Sequence, residues 1–346
     1  VWRSLHNYLR HAVSRSPRGF HPLLTVHYLT YACRFRCPYC CDGHGVRYSE
    51  LRSPVLRAPQ ALALYARVRR RCDFLVLTGG EPLDHPDVDE ILTALPRLGF
   101  DGVVLTTVGA TLDAHLEAVD RGVRHLVVSL DTLDPAKGDA WLGRPGTHAA
   151  ILRNLALAAS RRRRASVVVS SVATPDNLPD VAEVHRFARQ HGFRHSVSPQ
   201  LVGVHPHPAL RESAAYRALM DGLVREKRAG GAVEGTVAYL EHLRDLVPFG
   251  CRPSTVLALS PAGDVFYPCL ELGNVAGNLL DEPELDAIRE AGRRRFGPEP
   301  RCGPRCQSPC ALGFALVLSR PGTMLDEGWR ILLGALRSSR RAERRA

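Results

Sequence analysis

Long apolar runs are missing from this chain of 346 residues. None reaches the length of a membrane-spanning helix, and Val1–Arg18 lacks the apolar centre of a signal peptide. A cytoplasmic protein is the expectation. Aromatic residues are few, at 6%, with only 3 Trp. They do not interleave with the basic clusters Arg161–Arg164 and Arg293–Arg295, so no stacking platform for single-stranded nucleic acid is expected. Lysine is nearly absent, and arginine carries almost all of the net charge of +11. Such runs read as solvated helix ends more readily than as anion sites.

Cysteine is not scarce: the chain has 10. In a secreted protein they would suggest disulfides. Here they fall into two groups with ligand-like spacing, and the cytosol keeps thiols reduced, so metal clusters are the better account. At 45% hydrophobic residues the chain can build a substantial core, and its length suggests one large unit with a smaller one appended.

The first group is Cys33, Cys37 and Cys40, spaced C-x3-C-x2-C directly after the strand-like run Leu23–Thr30. Three thiolates on one loop can hold three corners of a [4Fe–4S] cluster and leave one iron open. The next strand-like run ends in Leu77-Thr78-Gly79-Gly80-Glu81-Pro82. Glycines let backbone approach a ligand closely, and a carboxylate can pair with an ammonium. A zinc site completed by Cys41 is the alternative, and it leaves the Gly-Gly-Glu-Pro turn unexplained.

Between Leu23 and about Gln200, strand patterns alternate with helical ones. The strands are expected at 23–30, 73–78, 102–107, 125–129, 165–173 and 195–199, and the helices at 58–71, 86–98, 112–121, 147–161 and 178–191. Two more helices are expected at 216–227 and 236–247. The runs 255–260 and 265–269, joined by Pro261-Ala262-Gly263-Asp264, read as a β-hairpin. The second cysteine group comprises Cys251, Cys269, Cys302, Cys306 and Cys310. Cys41 and Cys72 look like small buried hydrophobes.

The cysteine loop and the Gly-Gly-Glu turn resemble the radical S-adenosylmethionine (SAM) family, and the cysteines beyond Cys251 resemble the auxiliary-cluster domains called SPASM and twitch. The resemblance implies an α/β fold: a partial (β/α)6 TIM barrel with a small C-terminal cysteine-rich auxiliary-cluster domain. The divisions expected are an extension at 1–22, the barrel at 23–210, a helical connection at 211–250, the auxiliary domain at 251–320 and a basic amphipathic tail at 321–346. It further implies a SAM-binding [4Fe–4S] cluster on Cys33, Cys37 and Cys40, with SAM held by Gly79, Gly80 and Glu81. Tyr39 would pack near the adenine, Ser129 or Asp131 would meet the ribose, and Ser170 the carboxylate. Asp131 could equally be a turn residue. Asn177 matches a recurrent structural turn. One auxiliary [4Fe–4S] cluster is implied on Cys251, Cys269 and two of Cys302, Cys306 and Cys310, with tetrahedral zinc as the alternative.

The activity implied is reductive cleavage of SAM to a 5′-deoxyadenosyl radical, which abstracts hydrogen from a small-molecule or lipid substrate. Flavodoxin or ferredoxin would supply the electron. Maturation of a ribosomally made peptide is the second reading, and a non-catalytic iron–sulfur or zinc protein the third. Relatives that mature peptides often carry an amino-terminal leader-binding domain, and with about twenty residues before the first strand the peptide is expected to rank second. Trp2, Leu5, Tyr8 and Leu9 among Arg3, Arg10 and Arg15, with Trp329–Leu336 among the terminal arginines, leave two readings open. One is peripheral contact with the inner membrane surface; the other is ordinary packing against the barrel.

Overall fold

The computed structural model describes residues 2–14, 17, 19–161, 166–299, 306–320 and 322. Six parallel strands form the frame: β1 (Leu24–Thr30), β2 (Phe74–Gly79), β3 (Gly102–Thr107), β4 (His125–Ser129), β5 (Ser166–Ala173) and β6 (Arg194–Pro199). They pair in chain order with parallel register, as an open partial TIM barrel requires. Alternation sorts their two faces. Leu75 and Leu77, Leu126 and Val128 are buried against the outer helices, whereas Val76, Thr78, Val127 and Ser129 turn into the lumen and are less covered.

The first helices are α1 (Trp2–Val13), α2 (Ala58–Arg69), α3 (Val88–Ala94), α4 (Leu112–Gly122), α5 (Pro135–Leu142), α6 (Thr147–Ser160) and α7 (Leu178–Gln190). The helical pattern at 86–98 is broken: α3 stops at Ala94 and a 3-10 turn covers Leu95–Leu98. Pro96, which has no N–H to donate, sits inside that turn. The one helix of the barrel that the hydrophobic pattern did not suggest is α5. It is built by its ends: Asp134 accepts hydrogen bonds from the Ala136 and Lys137 amides, Pro135 fills the first position, and Gly143 closes it at φ +69°.

A short ladder follows β6, β7 (Leu201–Val202) against β8 (His205–Pro206), then α8 (Pro208–Arg211), α9 (Ala214–Arg228) and α10 (Val237–Asp245). Ser213 and Thr236 cap the last two, each accepting from a backbone amide. These helices share a second core with α7, centred on fully buried Tyr216, Met220 and Leu243.

The hairpin expected near Pro261–Asp264 is present as β9 (Val256–Leu259) and β10 (Asp264–Phe266), turning at Gly263 with φ +86°. A further strand, β11 (Val275–Asn278), pairs with β10. The hairpin does not stand apart: β9 lies parallel to β1, with Leu24 opposite Val256 and His27 opposite Leu259. The sheet therefore has nine strands in the order β11-β10-β9-β1-β2-β3-β4-β5-β6. The last helices are α11 (Leu285–Phe296) and α12 (Pro309–Ser319). On α11, Arg293 and Arg294 pair with Glu290, the solvated helix face expected of that basic run.

Candidate active site

At the carboxyl ends of β1–β4 lies a cavity of about 180 Å³, and Cys33, Cys37 and Cys40 all form part of its wall. The loop that carries them is anchored from both sides. Phe35, between the first two cysteines, is buried in the main core. The Arg36 amide donates to the Leu142 carbonyl at 3.0 Å, tying the loop to the end of α5.

The Gly-Gly-Glu turn closes against the same loop. The Gly80 amide donates to the Thr30 carbonyl at 2.7 Å, and the Glu81 amide to the Ala32 carbonyl at 2.9 Å. Gly79 has φ +146°, and a Cβ there would lie 2.2 Å from the Thr30 carbonyl oxygen. A Cβ on Gly80 would lie 2.2 Å from that of Ala32. These glycines are thus needed to bring two backbones together, besides lining the cavity.

The Glu81 carboxylate is nearly fully buried and has three donors: the Leu83 amide at 3.0 Å, the Thr107 hydroxyl at 2.6 Å and the Val108 amide at 2.8 Å. Its side chain welds β2 to β3 and is not part of the cavity wall. Burial nevertheless pushes its pKa above the ordinary range, with those donors opposing.

Tyr39, Ser129 and Asp131 line the cavity; Ser170 lies opposite Ser129 in the register but outside the wall. The Tyr39 hydroxyl donates to Asp131, whose other oxygen accepts from the Val172 amide at 2.8 Å. Asp131 thereby clamps the middle of the cysteine loop to β4 and β5. Burial raises its pKa to about 6. Asn177 donates to the carbonyls of Val172 and Asp131 and accepts from Thr174, so it is a turn residue as expected.

The sequence reading missed the opposite wall, supplied by α5 and α6: Trp141, Gly138, His148 and Ile151. The Trp141 ring meets Tyr39 edge-on at 6.4 Å, and Lys137 lies 5.4 Å from the Trp141 ring centre. The Asp134-Pro135 start signal and Gly143 stop were visible in the sequence and would have exposed this helix.

The donor set fits an iron–sulfur cluster. Burial pushes the Cys37 thiol up to about 12 and Cys40 to about 11, and neighbouring thiols add to this; Cys33 is raised too. A metal offsets that penalty, because coordinated thiols are deprotonated outright. Cys41 is not in the wall, so among the described residues the cavity offers three sulfurs. Among the described residues no three Cys, His, Asp or Glu side chains converge on one point as a single ion requires.

In the second group, Cys251 is buried while Cys269 and Cys306 are half-buried. Cys302 lies outside the described residues, and Cys310 occupies the first turn of α12. The turn after Cys269 abuts the first cysteine loop: a Cβ on Gly43 would lie 2.6 Å from the Glu271 carbonyl oxygen, and one on Gly273 would lie 3.0 Å from His44. Cys72 is buried with its sulfur 3.3 Å from the Phe74 carbonyl, a packed hydrophobe as expected. The expected tail beyond residue 322 lies outside the described residues.

Residues 28–198 match the family model described as Radical SAM superfamily. Molybdenum cofactor biosynthesis protein 1 of Homo sapiens is 39% identical over 124 residues, 35% of this chain and 19% of that protein. GTP 3',8-cyclase of Rhizobium leguminosarum bv. trifolii (strain WSM2304) is 32% identical over 170 residues, 48% of each chain. The chain thus spans less than half the length of either relative. Among solved structures, Streptococcus suis SuiB bound to S-adenosylmethionine superposes with TM-score 0.62 at 19% identity, over 78% of this chain and 66% of that one. The structure of anSMEcpe with bound AdoMet gives TM-score 0.56 at 13% identity over 91% and 95%. Likeness at that identity speaks for the fold.

Proposed function

The chain carries a radical SAM domain over residues 28–198, and on that premise we propose that it is a radical SAM enzyme acting on a small-molecule or lipid substrate. The observation that carries this reading is the meeting of three thiols and the Gly79-Gly80 backbone in one cavity. Cys33, Cys37 and Cys40 would hold a [4Fe–4S] cluster. When bound, that cluster and SAM supply reductive cleavage to a 5′-deoxyadenosyl radical.

The chain's own residues bind, orient and exclude water. Gly79 and Gly80 let the turn close against the cysteine loop, so that both share one wall of the cavity. Tyr39 and Trp141 offer apolar ring surface for the adenine, and Ser129 and Asp131 face the ribose. Glu81 acts through the turn it fixes, and Ser170 serves as a neighbour of Ser129. Closure of the wall by α5 keeps the reacting centre dry.

We further propose that Cys251, Cys269 and two of Cys302, Cys306 and Cys310 hold one auxiliary cluster, close to the first loop through the Gly43–Glu271 contact. It would take the second electron of a net oxidation or bond formation. A flavodoxin or ferredoxin would deliver the first. The test is anaerobic reconstitution with iron and sulfide, followed by SAM and dithionite. Formation of 5′-deoxyadenosine is expected, and its persistence in Cys37→Ala would refute the ligand assignment.

A further inference from the structure

The barrel holds a second cavity, away from the cysteine loop. At the amino ends of β3–β6 the lumen holds a cavity of about 770 Å³, within the range of ~300–1,000 Å³ that small-molecule sites occupy. It lies towards the opposite ends of the strands from the cofactor cavity. Thr106 and Ser129 line the upper space, and Val104 and Val127, two residues earlier on the same strands and face, line the lower. From Val127 to Asp131 is about 13 Å along the strand direction.

The floor is apolar: Val104, Val127 and Val168 from the sheet, Phe314 and Val317 from α12. The charged groups sit at the rim, where His125 and Arg194 open their strands, while Ser196, Thr236 and Tyr239 add hydroxyls to the wall. Arg194 bridges Glu234, and His125 Nδ1 lies 2.6 Å from the Ser166 hydroxyl. A phosphorylated or otherwise charged ligand would have to break these pairs, whereas an apolar chain gains from covering the valines.

The helix α1 meets this cavity's wall through α12. Asn7 donates to the carbonyls of Pro22 and Arg71, and Ser4 to Asp73, which seats α1 across the amino ends of β1 and β2. The Tyr8 hydroxyl lies 3.5 Å from the carbonyl of Val317, a residue of the cavity wall. On its outer face Leu5, Leu9 and Val13 are 45%, 53% and 89% exposed at helical spacing. The helix carries no acidic residue, and beside Arg3, which lies 3.5 Å from Asp73, it presents Arg10, a charge complement to anionic headgroups.

We infer that α1 rests on an anionic membrane surface and that the lower cavity takes the hydrocarbon chain of a lipid substrate drawn from it. This rests on the radical-enzyme reading with a lipid substrate. The chain's far end reaches up the lumen past Val127 and Ser129 to the cofactor cavity.

The test uses the reconstituted full chain with farnesol as probe ligand, read by displacement of diphenylhexatriene fluorescence. Saturable displacement by farnesol and none by GTP is expected. Val127→Trp and Val317→Trp, on two different elements, should each weaken farnesol by about tenfold or more without loss of SAM binding. Co-sedimentation with phosphatidylcholine–phosphatidylglycerol vesicles should be lost in Leu5→Glu/Leu9→Glu. Displacement by GTP, farnesol binding unmoved by both tryptophans, or undiminished sedimentation of the double variant overturns the inference. Parallel measurement of 5′-deoxyadenosine separates the failures: its absence from the wild-type protein defeats the radical reading alone, whatever the probe does.

Discussion

Glu81 is the residue whose chemistry the fold redirects. A carboxylate after two glycines suggests a partner for an ammonium, yet its oxygens face Leu83, Thr107 and Val108. Glu81→Gln puts an NH2 group where an acceptor is needed, leaving at least one buried N–H or O–H facing another donor. A loss of about 2 kcal/mol in urea unfolding is expected, with weaker SAM binding following from a displaced turn. A variant of unchanged stability that no longer binds SAM would assign the carboxylate to the cofactor instead. At this scale the cysteines and glycines were legible because spacing alone fixes them on one loop and one turn. Glu81's partners were not, since Thr107 and Val108 belong to another strand and only tertiary placement brings them near.

The elements of the barrel were legible almost to the residue, because a period of two in the strands and one near 3.6 in the helices leaves few alternatives. What escaped were elements set by their ends or by distant pairing. The helix α5 is too short for periodicity to show, and β11 lies in a glycine-rich stretch that pairs only because β10 is already there. The pairing of β9 with β1 joins residues more than two hundred positions apart, and no local signal records it.

Elements that were read from the sequence hide a further property, a set of buried histidines that stitch them together. His27 on β1 bonds the Tyr65 hydroxyl of α2 at 2.7 Å. His195 on β6 lies between Ser171 of β5 at 3.0 Å and His185 of α7 at 3.1 Å. Burial lowers both His27 and His195 from 6.5 to about 3. A depressed histidine pKa means that the unfolded chain takes up protons which the folded chain refuses. Stability is therefore full above pH 6.5 and falls as the pH drops through the window from 6.5 towards 3. At pH 5 each should contribute a loss of about 2 kcal/mol. Thermal melting at pH 7 and pH 5 should show this fall, and His195→Gln should reduce it. Identical melting temperatures at the two pH values would contradict the burial of these rings.

For the whole molecule, composition and cysteine grouping anticipated a barrel with a cysteine-bearing extension, but not that the extension continues the barrel's own sheet. That continuity places the turn after Cys269 against the first cysteine loop, so the two cysteine groups belong to one structural unit. Replacing Cys33, Cys37 and Cys40 together by alanine should then leave about four irons and matching sulfide per reconstituted chain, held by the second group. Zinc without sulfide would point to a tetrahedral structural site there.

The claim on which the rest depends is that the loop of Cys33, Cys37 and Cys40 leaves one iron free to take SAM. Electron paramagnetic resonance of the dithionite-reduced protein, recorded before and after SAM is added, tests it most directly. The account predicts that the cluster's g-values shift on addition of SAM, and that the responsive signal disappears in Cys37→Ala. A spectrum indifferent to SAM, or one that survives in Cys37→Ala, would contradict it.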